Sequence, residues 1–359
     1  MTYSIAEIGL NHNGDYSHAK LLMLAAKEAG FSAVKFQNFK ASDVYVSGER
    51  SGTYHLMGQE ISIYELHERL EMQASFFRDC RAYASQLGID FMSSPIGLES
   101  LKLLVDLNPA AIKISSYEIT NLPFLEACAE TNLPLVMSTG GCSVREVAEA
   151  IDLVSSYHDD FQILHCVVQY PTQFSNANLK CILSMREIFG VPVGFSNNGF
   201  IDGEGRIDYA QIPYCCGLLG CSSYEVHITL DRQGEGVDQG FSIEPNEQRK
   251  TIIALKEGNE KRFSDFESID QEILGSGVKR SAIDENYVRS FAFKKLFYIR
   301  DMSVGTVLSA SDFRALRPGE FQVKDGLDPK FNRIVEGLSL TKAVRAMDPV
   351  RLSDFKNGR

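Results

Sequence analysis

The sequence predicts a (β/α)8 barrel followed by a small β-rich domain. Eight short β-rich segments alternate with helix-favouring stretches over roughly the first 260 residues. Polar residues gather where those segments end, as barrel chemistry requires. Beyond about Glu260 the alternation stops. A doubly wound open sheet normally has fewer strands and wants a glycine-rich phosphate loop after its first strand. Here that strand runs into Glu7-Ile8-Gly9-Leu10-Asn11-His12-Asn13-Gly14, which is polar instead.

The expected strands are Ser4–Ile8, Ala33–Gln37, Ile89–Ser93, Ala111–Ser115, Leu135–Ser138, Gln162–Val167, Val191–Phe195 and Tyr224–Ile228. Between and after them come His18–Ala29, Phe76–Leu87, Leu98–Leu107, Pro123–Glu130, Val144–Ser155, Leu179–Phe189, Tyr209–Leu219 and Pro245–Glu257 as helices. Val144–Ser155 shows the reasoning. Ser143 is an N-cap with Glu146 in the capping-box position, and Val147, Ala148, Ile151 and Val154 recur at helical spacing. A long insertion, Lys40 to Gln73, follows the second strand and reads as a partial cover over the barrel mouth. The domain expectation is a barrel over 1–262, a linker over 263–284 and a small domain over 285–359. In the last, Ser290–Tyr298, Gly305–Leu308, Phe313–Gly319 and Ile334–Leu338 read as strand and turn segments.

Totals narrow the function. A 359-residue chain with 44% hydrophobic and 23% charged residues is ordinary for a globular protein. A formal charge of −11 argues against nucleic acid as a partner. The eight cysteines show no metal-knuckle spacing and several lie in apolar runs, so reduced buried thiols and a cytoplasmic location are expected. No basic-then-apolar leader opens the chain and no apolar run reaches membrane length, so no membrane is expected.

Lys113, between Ile112 and Ile114, is the anomaly of the fourth strand. An unpaired ammonium in a sheet interior costs several kcal/mol, so Lys113 is either an edge lysine reaching water or part of an anion pocket. The other strand ends favour the pocket. They carry Glu7, Lys35, Gln37, Ser94, Ser116, Glu118, Ser138, His165, Tyr170, Ser196, Asn198, Glu225, His227 and Asp238. Two lysines among hydroxyls describe an oxyanion-rich ligand bearing phosphate and carboxylate. The acids Glu7, Glu118 and Asp238 suit a neutral polyhydroxylated partner and proton transfer. His227 is the best single metal candidate, though a lone strand histidine is more often a hydrogen-bonded core residue.

The motifs together resemble a known family, the N-acetylneuraminate (sialic acid) synthases with their legionaminate, pseudaminate and spore-coat polysaccharide relatives. The resemblance runs through Ala6–Gly14, Val34-Lys35-Phe36-Gln37, Ser62-Ile63-Tyr64-Glu65-Leu66, Ile112–Ser116, Leu135–Gly140, Leu164-His165-Cys166, Tyr170-Pro171-Thr172 and His227–Arg232. Arg317-Pro318-Gly319 looks like part of the family's antifreeze-like (SAF) domain. The resemblance implies condensation of phosphoenolpyruvate with an N-acylated hexosamine-type sugar, giving a nine-carbon 2-keto acid and phosphate. It places Lys35, Ser94, Lys113, Ser116, Ser138 and Ser196 on phosphoenolpyruvate, and Glu7, Gln37, Glu118, Tyr170 and Asp238 on the sugar side. Glu118 is the expected proton-transfer group, with Glu7 and Asp238 orienting the sugar. Arg317 is expected to enter the partner's site in a domain-swapped homodimer.

The same resemblance implies a divalent metal, manganese or magnesium, at two histidines. This chain departs there: the usual Ser-Asp-His reads Ser196-Asn197-Asn198, leaving His227 and Asn198 for an ion that is weakly held or dispensable. The phosphoenolpyruvate-contacting asparagine is Val168, the usual Pro-Gly-Pro-Asp is replaced by Gly234-Glu235-Gly236-Val237-Asp238, and Thr-Pro-Phe reads Ser94-Pro95-Ile96. Two alternatives follow: the same condensation on a different sugar aldehyde for polysaccharide biosynthesis, or a catalytically silent carbohydrate-binding relative.

Overall fold

The computed structural model describes residues 1–47, 51–56, 59–261, 271–280, 285–321, 323 and 325–355. Eight parallel strands close a barrel: β1 (Tyr3–Gly9), β2 (Ala33–Phe39), β3 (Asp90–Ile96), β4 (Ala111–Ile114), β5 (Leu135–Ser138), β6 (Phe161–Cys166), β7 (Val193–Asn197) and β8 (Ser223–His227). Each pairs with its sequence neighbours, and β8 returns to β1 with Glu7 opposite His227. The expected strands all appear, their ends shifted by at most three residues. The helix Val144–Ser155 carries the Ser143–Glu146 capping box.

The inner face of the barrel reads apolar below and polar above. Ile5, Ala33, Met92, Ala111, Val136 and Leu164 form one packed cluster. Two residues further along the same strands stand Glu7, Lys35, Ser94, Lys113, Ser138 and Cys166. Because residues two apart share a face of a strand, the apolar plug sets the polar layer directly above it. On β7 the lower position is Gly194, where a Cβ would lie 2.4 Å from the Ser223 carbonyl oxygen. The plug has no room there for a side chain. Outward-facing Ala6, Ile8, Val34 and Phe36 join Leu22, Met23 and Ala26 of the first helix, Tyr16–Ala29, in the main core.

The insertion after β2 holds the hairpin Thr53–Leu56 and Gln59–Ser62, then the helix Ile63–Leu70 capped by Ser62. Residues 48–50 and 57–58 of it lie outside the described residues. Of the expected linker, 262–270 and 281–284 likewise lie outside. Its described part packs on the barrel: Ile273 and Leu274 are buried in the main core, and Leu179 donates its amide to Ile273 O at 3.0 Å.

The small domain starts with the helix Glu285–Ala292, so the front of the expected Ser290–Tyr298 segment is helical. Strands β9 (Lys295–Tyr298) and β10 (Phe313–Leu316) pair antiparallel. Ile334 and Val335, the front of the expected Ile334–Leu338 segment, lie in a helical turn, Asn332–Val335. A separate core gathers Leu296, Tyr298, Leu308, Leu327, Val335 and Val350.

Candidate active site

A cavity of about 480 Å³ opens at the C-terminal ends of the strands. Its floor holds two lysines and two carboxylates. Lys35 Nζ lies 2.8 Å from Glu7 Oε2 and 3.4 Å from Glu225 Oε1, and donates to Ser94 Oγ at 3.2 Å. Lys113 Nζ donates to Ser138 Oγ at 2.7 Å and to the Ile114 carbonyl at 3.2 Å, with Glu225 Oε1 at 3.9 Å. Ser196 Oγ donates to the same Glu225 oxygen at 3.2 Å. All of these side chains are buried. Lys113 is therefore an interior lysine facing an anion, and the edge-strand reading is set aside.

Burial pulls the Lys35 ammonium down, but Glu225 and Glu7 outweigh it, so its pKa stands above the ordinary lysine value. For Lys113 burial wins. Glu225 offsets part of it, Lys35 adds repulsion, and the pKa is held below the ordinary value. Burial also pushes Glu225 up, yet Lys113, Lys35 and His227 together hold it below the usual carboxylate range. Glu225 is the residue that sequence reasoning counted among the strand ends without giving it a role. The signal was available: it sits two residues before His227 on β8, hence on the same inward face.

Above the floor, Gln37 Nε2 donates to Glu7 Oε1 at 3.0 Å. Gly9, at φ +53°, lets Glu7, Gln37 and Asp238 converge, since a Cβ there would lie 3.0, 3.2 and 3.4 Å from their polar atoms. Burial raises the Asp238 pKa above its usual value. On the opposite wall the Gly140 amide donates to Ser116 Oγ at 2.9 Å, and a Cβ at Gly140 would meet Val168 at 2.6 Å. Tyr170 reaches the Tyr117 hydroxyl at 3.3 Å and lies over Phe241. Leu66 and His67 of the insertion helix also line the cavity, which makes that helix part of its cover.

Asn198 faces the cavity, its Nδ2 donating to the Val167 carbonyl at 2.8 Å, so Oδ1 is the edge left for a ligand. His227 Nδ1 is buried without a hydrogen bond, 3.8 Å from Asp238 Oδ2. Among the described residues no three His, Cys, Asp or Glu side chains gather as a metal site. One imidazole and one amide oxygen fit a divalent ion, but only as a sparse donor set.

Every expected site residue lines this cavity except Glu118. Its carboxylate is turned away, 3.0 Å from Lys294 Nζ and accepting from Asn121 Nδ2 at 2.8 Å. The reason is local: β4 ends at Ile114 and the chain turns through Ser116–Thr120, so strand alternation no longer aims position 118 inward. Arg317, expected to enter a partner's site, lines the cavity within the single chain, 4.7 Å from the Tyr117 ring centroid and 5.5 Å from that of Tyr45. Its backbone is fixed there by the Arg317 amide to Val44 O at 2.8 Å.

Barrel, anion-directed lysines and converging acids at one mouth define a (β/α)8 enzyme. The NeuB family matches residues 22–262, and the chain belongs to that family as an enzyme of sialic-acid-synthase type. It is 33% identical to the N,N'-diacetyllegionaminic acid synthase of Legionella pneumophila, over 88% of this chain and 85% of that protein. It is also 33% identical to the spore coat polysaccharide biosynthesis protein SpsE of Bacillus subtilis, over 96% and 89%. The crystal structure of that Bacillus protein superposes with a TM-score of 0.84 at 28% identity, covering 100% of this chain and 96% of that one.

Proposed function

We propose that the chain condenses phosphoenolpyruvate with the aldehyde of an N-acylated hexosamine-type sugar, giving a nine-carbon 2-keto sugar acid and phosphate. The observation that carries this is the pair of buried lysines, Lys35 and Lys113, converging on Glu225 beneath a cavity walled by Ser94, Ser116, Ser138 and Ser196. Ammonium groups among hydroxyls suit a phosphate and a carboxylate together. The names of the relatives, synthases of legionaminic and pseudaminic acids, support the same chemistry.

In this reading the methylene carbon of phosphoenolpyruvate attacks the aldehyde carbon, forming the new C–C bond. The aldehyde oxygen takes a proton, water adds at the former enol carbon, and phosphate departs as that C–O bond breaks. Lys35 and Lys113 hold the phosphate and carboxylate charge through these changes. Gln37, Tyr170 and Arg317 orient the sugar. Glu7 and Asp238 are the carboxyl groups within reach of it, and they replace Glu118 as candidates for the proton. A divalent ion held by His227 and Asn198, manganese or magnesium, would polarise the aldehyde oxygen as a Lewis acid. We propose it as weakly held or dispensable.

We also propose an antifreeze-like character for the small domain, a domain-swapped homodimer, and a cytoplasmic location. The last is supported by eight buried free cysteines. Among the described residues no helix is long and apolar enough to cross a membrane.

The test is phosphate release from phosphoenolpyruvate against a panel of sugar aldehydes. N-acetylmannosamine or a diacetamido relative should drive release. Release only with sugars lacking an acylamino group supports the same chemistry on a different acceptor. No release with any sugar, alongside measurable sugar binding, overturns the catalytic reading.

A further inference from the structure

One buried cation has no part in the chemistry described above. Lys279, in the segment that follows the barrel, is 7% exposed, and among the described residues it pairs with no carboxylate. Burying an ammonium without a counter-charge is costly, so its place needs a reason. Its Nζ donates to the Thr139 carbonyl at 2.6 Å. The neighbouring His165 ring is no counter-charge, because burial and then Lys279 itself lower its pKa to about 3. The backbone around Lys279 is fastened to the barrel. Ile273 and Leu274 lie in the main core, and Asn178, past the end of β6, accepts from the Gly277 amide at 2.8 Å and donates to the Val278 carbonyl at 3.1 Å.

The carbonyl that Lys279 meets leads to the cavity. Thr139 O and the Gly140 N–H belong to one trans peptide unit, so they point in opposite directions. On the far side, the Gly140 amide donates to Ser116 Oγ at 2.9 Å, and Ser116 lines the cavity. A hydroxyl that accepts one bond still has its own O–H to donate. The groups thus form a chain running from ammonium to carbonyl, then from amide to hydroxyl. A charge at its rear polarises each following bond in the same sense, which makes the last hydroxyl a stronger donor. Val168, which a Cβ on Gly140 would meet at 2.6 Å, has no side-chain donor to offer beside it.

We propose that Lys279 is a positioning residue for the anionic substrate, orienting the Thr139–Gly140 peptide and, through its amide, the Ser116 hydroxyl. The proposal rests on the reading above in which Ser116 faces phosphoenolpyruvate. Lys279 does not line the cavity, so its effect passes through one peptide and one hydroxyl. Loss of Lys279 should therefore weaken phosphoenolpyruvate binding and spare the sugar. A mere strut would lower stability and disturb both substrates alike. Lys279 should also lose its influence once the Ser116 hydroxyl is gone, because the chain of bonds then stops short of the ligand.

The experiment compares the full chain with Lys279→Met, Ser116→Ala and the double variant. Phosphoenolpyruvate affinity is measured by calorimetry, KM for phosphoenolpyruvate and for N-acetylmannosamine by phosphate release, and hydrogen exchange at Thr139–Cys142 with the barrel strands as a folding control. Lys279→Met should weaken phosphoenolpyruvate by roughly tenfold, leave the sugar KM within about twofold, and speed exchange at Thr139–Cys142. The double variant should bind phosphoenolpyruvate no more weakly than Ser116→Ala alone, within about twofold. If Lys279→Met does not fold, Lys279→Gln, which keeps a neutral donor, is read the same way. Effects of Lys279→Met and Ser116→Ala that multiply in full overturn the proposal. So does an equal rise in both KM values, or unchanged exchange at Thr139–Cys142. If the wild-type chain binds no phosphoenolpyruvate, the functional reading has failed, and the exchange comparison still decides whether Lys279 holds the turn.

Discussion

Lys35 is held by two carboxylates and a hydroxyl, whereas Lys113 has one hydroxyl, one carbonyl and a carboxylate no nearer than 3.9 Å. An incoming anion therefore finds Lys113 the less compensated cation. Lys113→Met should lower kcat/KM by roughly 10²–10³-fold, with the circular dichroism spectrum unchanged. The pH dependence has a definite sign. Burial holds the Lys113 pKa below the ordinary lysine value, and a bound anion favours its charged form. The phosphoenolpyruvate KM should thus rise with pH on the alkaline side, beginning below the usual lysine titration near about 10.4. Lys113→Met should flatten that rise. At Asn198, one strong nitrogen donor is missing. If an ion is held there, turnover should fall after exhaustive chelation and return only at high manganese, and Asn198→His should lower the concentration needed by roughly 10–100-fold. Full activity after chelation, with no gain from manganese in Asn198→His, would show that the ion is dispensable.

At the scale of elements, the covering helix Ile63–Leu70 places His67 between the rings of Phe39 and Tyr45 at the cavity rim. Burial, with a smaller push from Arg317, lowers its pKa to about 4 against a hydrogen bond to the Ile63 carbonyl. In the unfolded chain a histidine titrates near about 6.5. The neutral ring thus contributes its full stability above about 6.5, and that contribution drains away as pH falls toward about 4. The denaturation midpoint should drop over that window, less steeply in His67→Phe, as urea melts at several pH values would show. His12 and His165, lowered to about 4 and about 3 by burial, add to the same trend. The barrel elements were legible in the sequence because alternation and helical spacing are local signals. Lys35, Lys113 and the serines followed from that alternation. Glu118 did not, because it lies past the end of its strand, where period two no longer fixes a side chain's direction. Glu225 was legible in principle but was masked by its neighbour His227, which drew the functional reading. Which strand residues share the two lysines' anion is a cross-barrel fact that no single segment carries.

At the scale of the whole molecule, the question is which chain completes which cavity. Sequence supplies an arginine in a small terminal domain but cannot say whether it turns back to its own barrel. Here several contacts bring it back. Lys279 donates to the Thr139 carbonyl at 2.6 Å, Arg289 pairs with Glu146, and Lys294 pairs with Glu118, all within one chain. Tyr45 and Arg317 form a backbone bridge, and Val46 is buried in a cluster with Phe297 and Leu316 of the small domain. Mixing two inactive chains tests this arrangement directly. Lys113→Met disables the floor and Arg317→Ala disables the cap. If each chain caps its own cavity, a co-expressed mixture contains no complete site and should stay as inactive as either parent. If the small domains were exchanged in a two-fold dimer, half the dimers would be mixed and each of those would hold one intact cavity, restoring about a quarter of wild-type turnover. Phosphate release by the unfractionated mixture at saturating substrates, with differently tagged subunits confirming that mixed dimers form, reads the difference. Recovery near that level would overturn own-chain completion, and no recovery would make a single chain the unit of the active site.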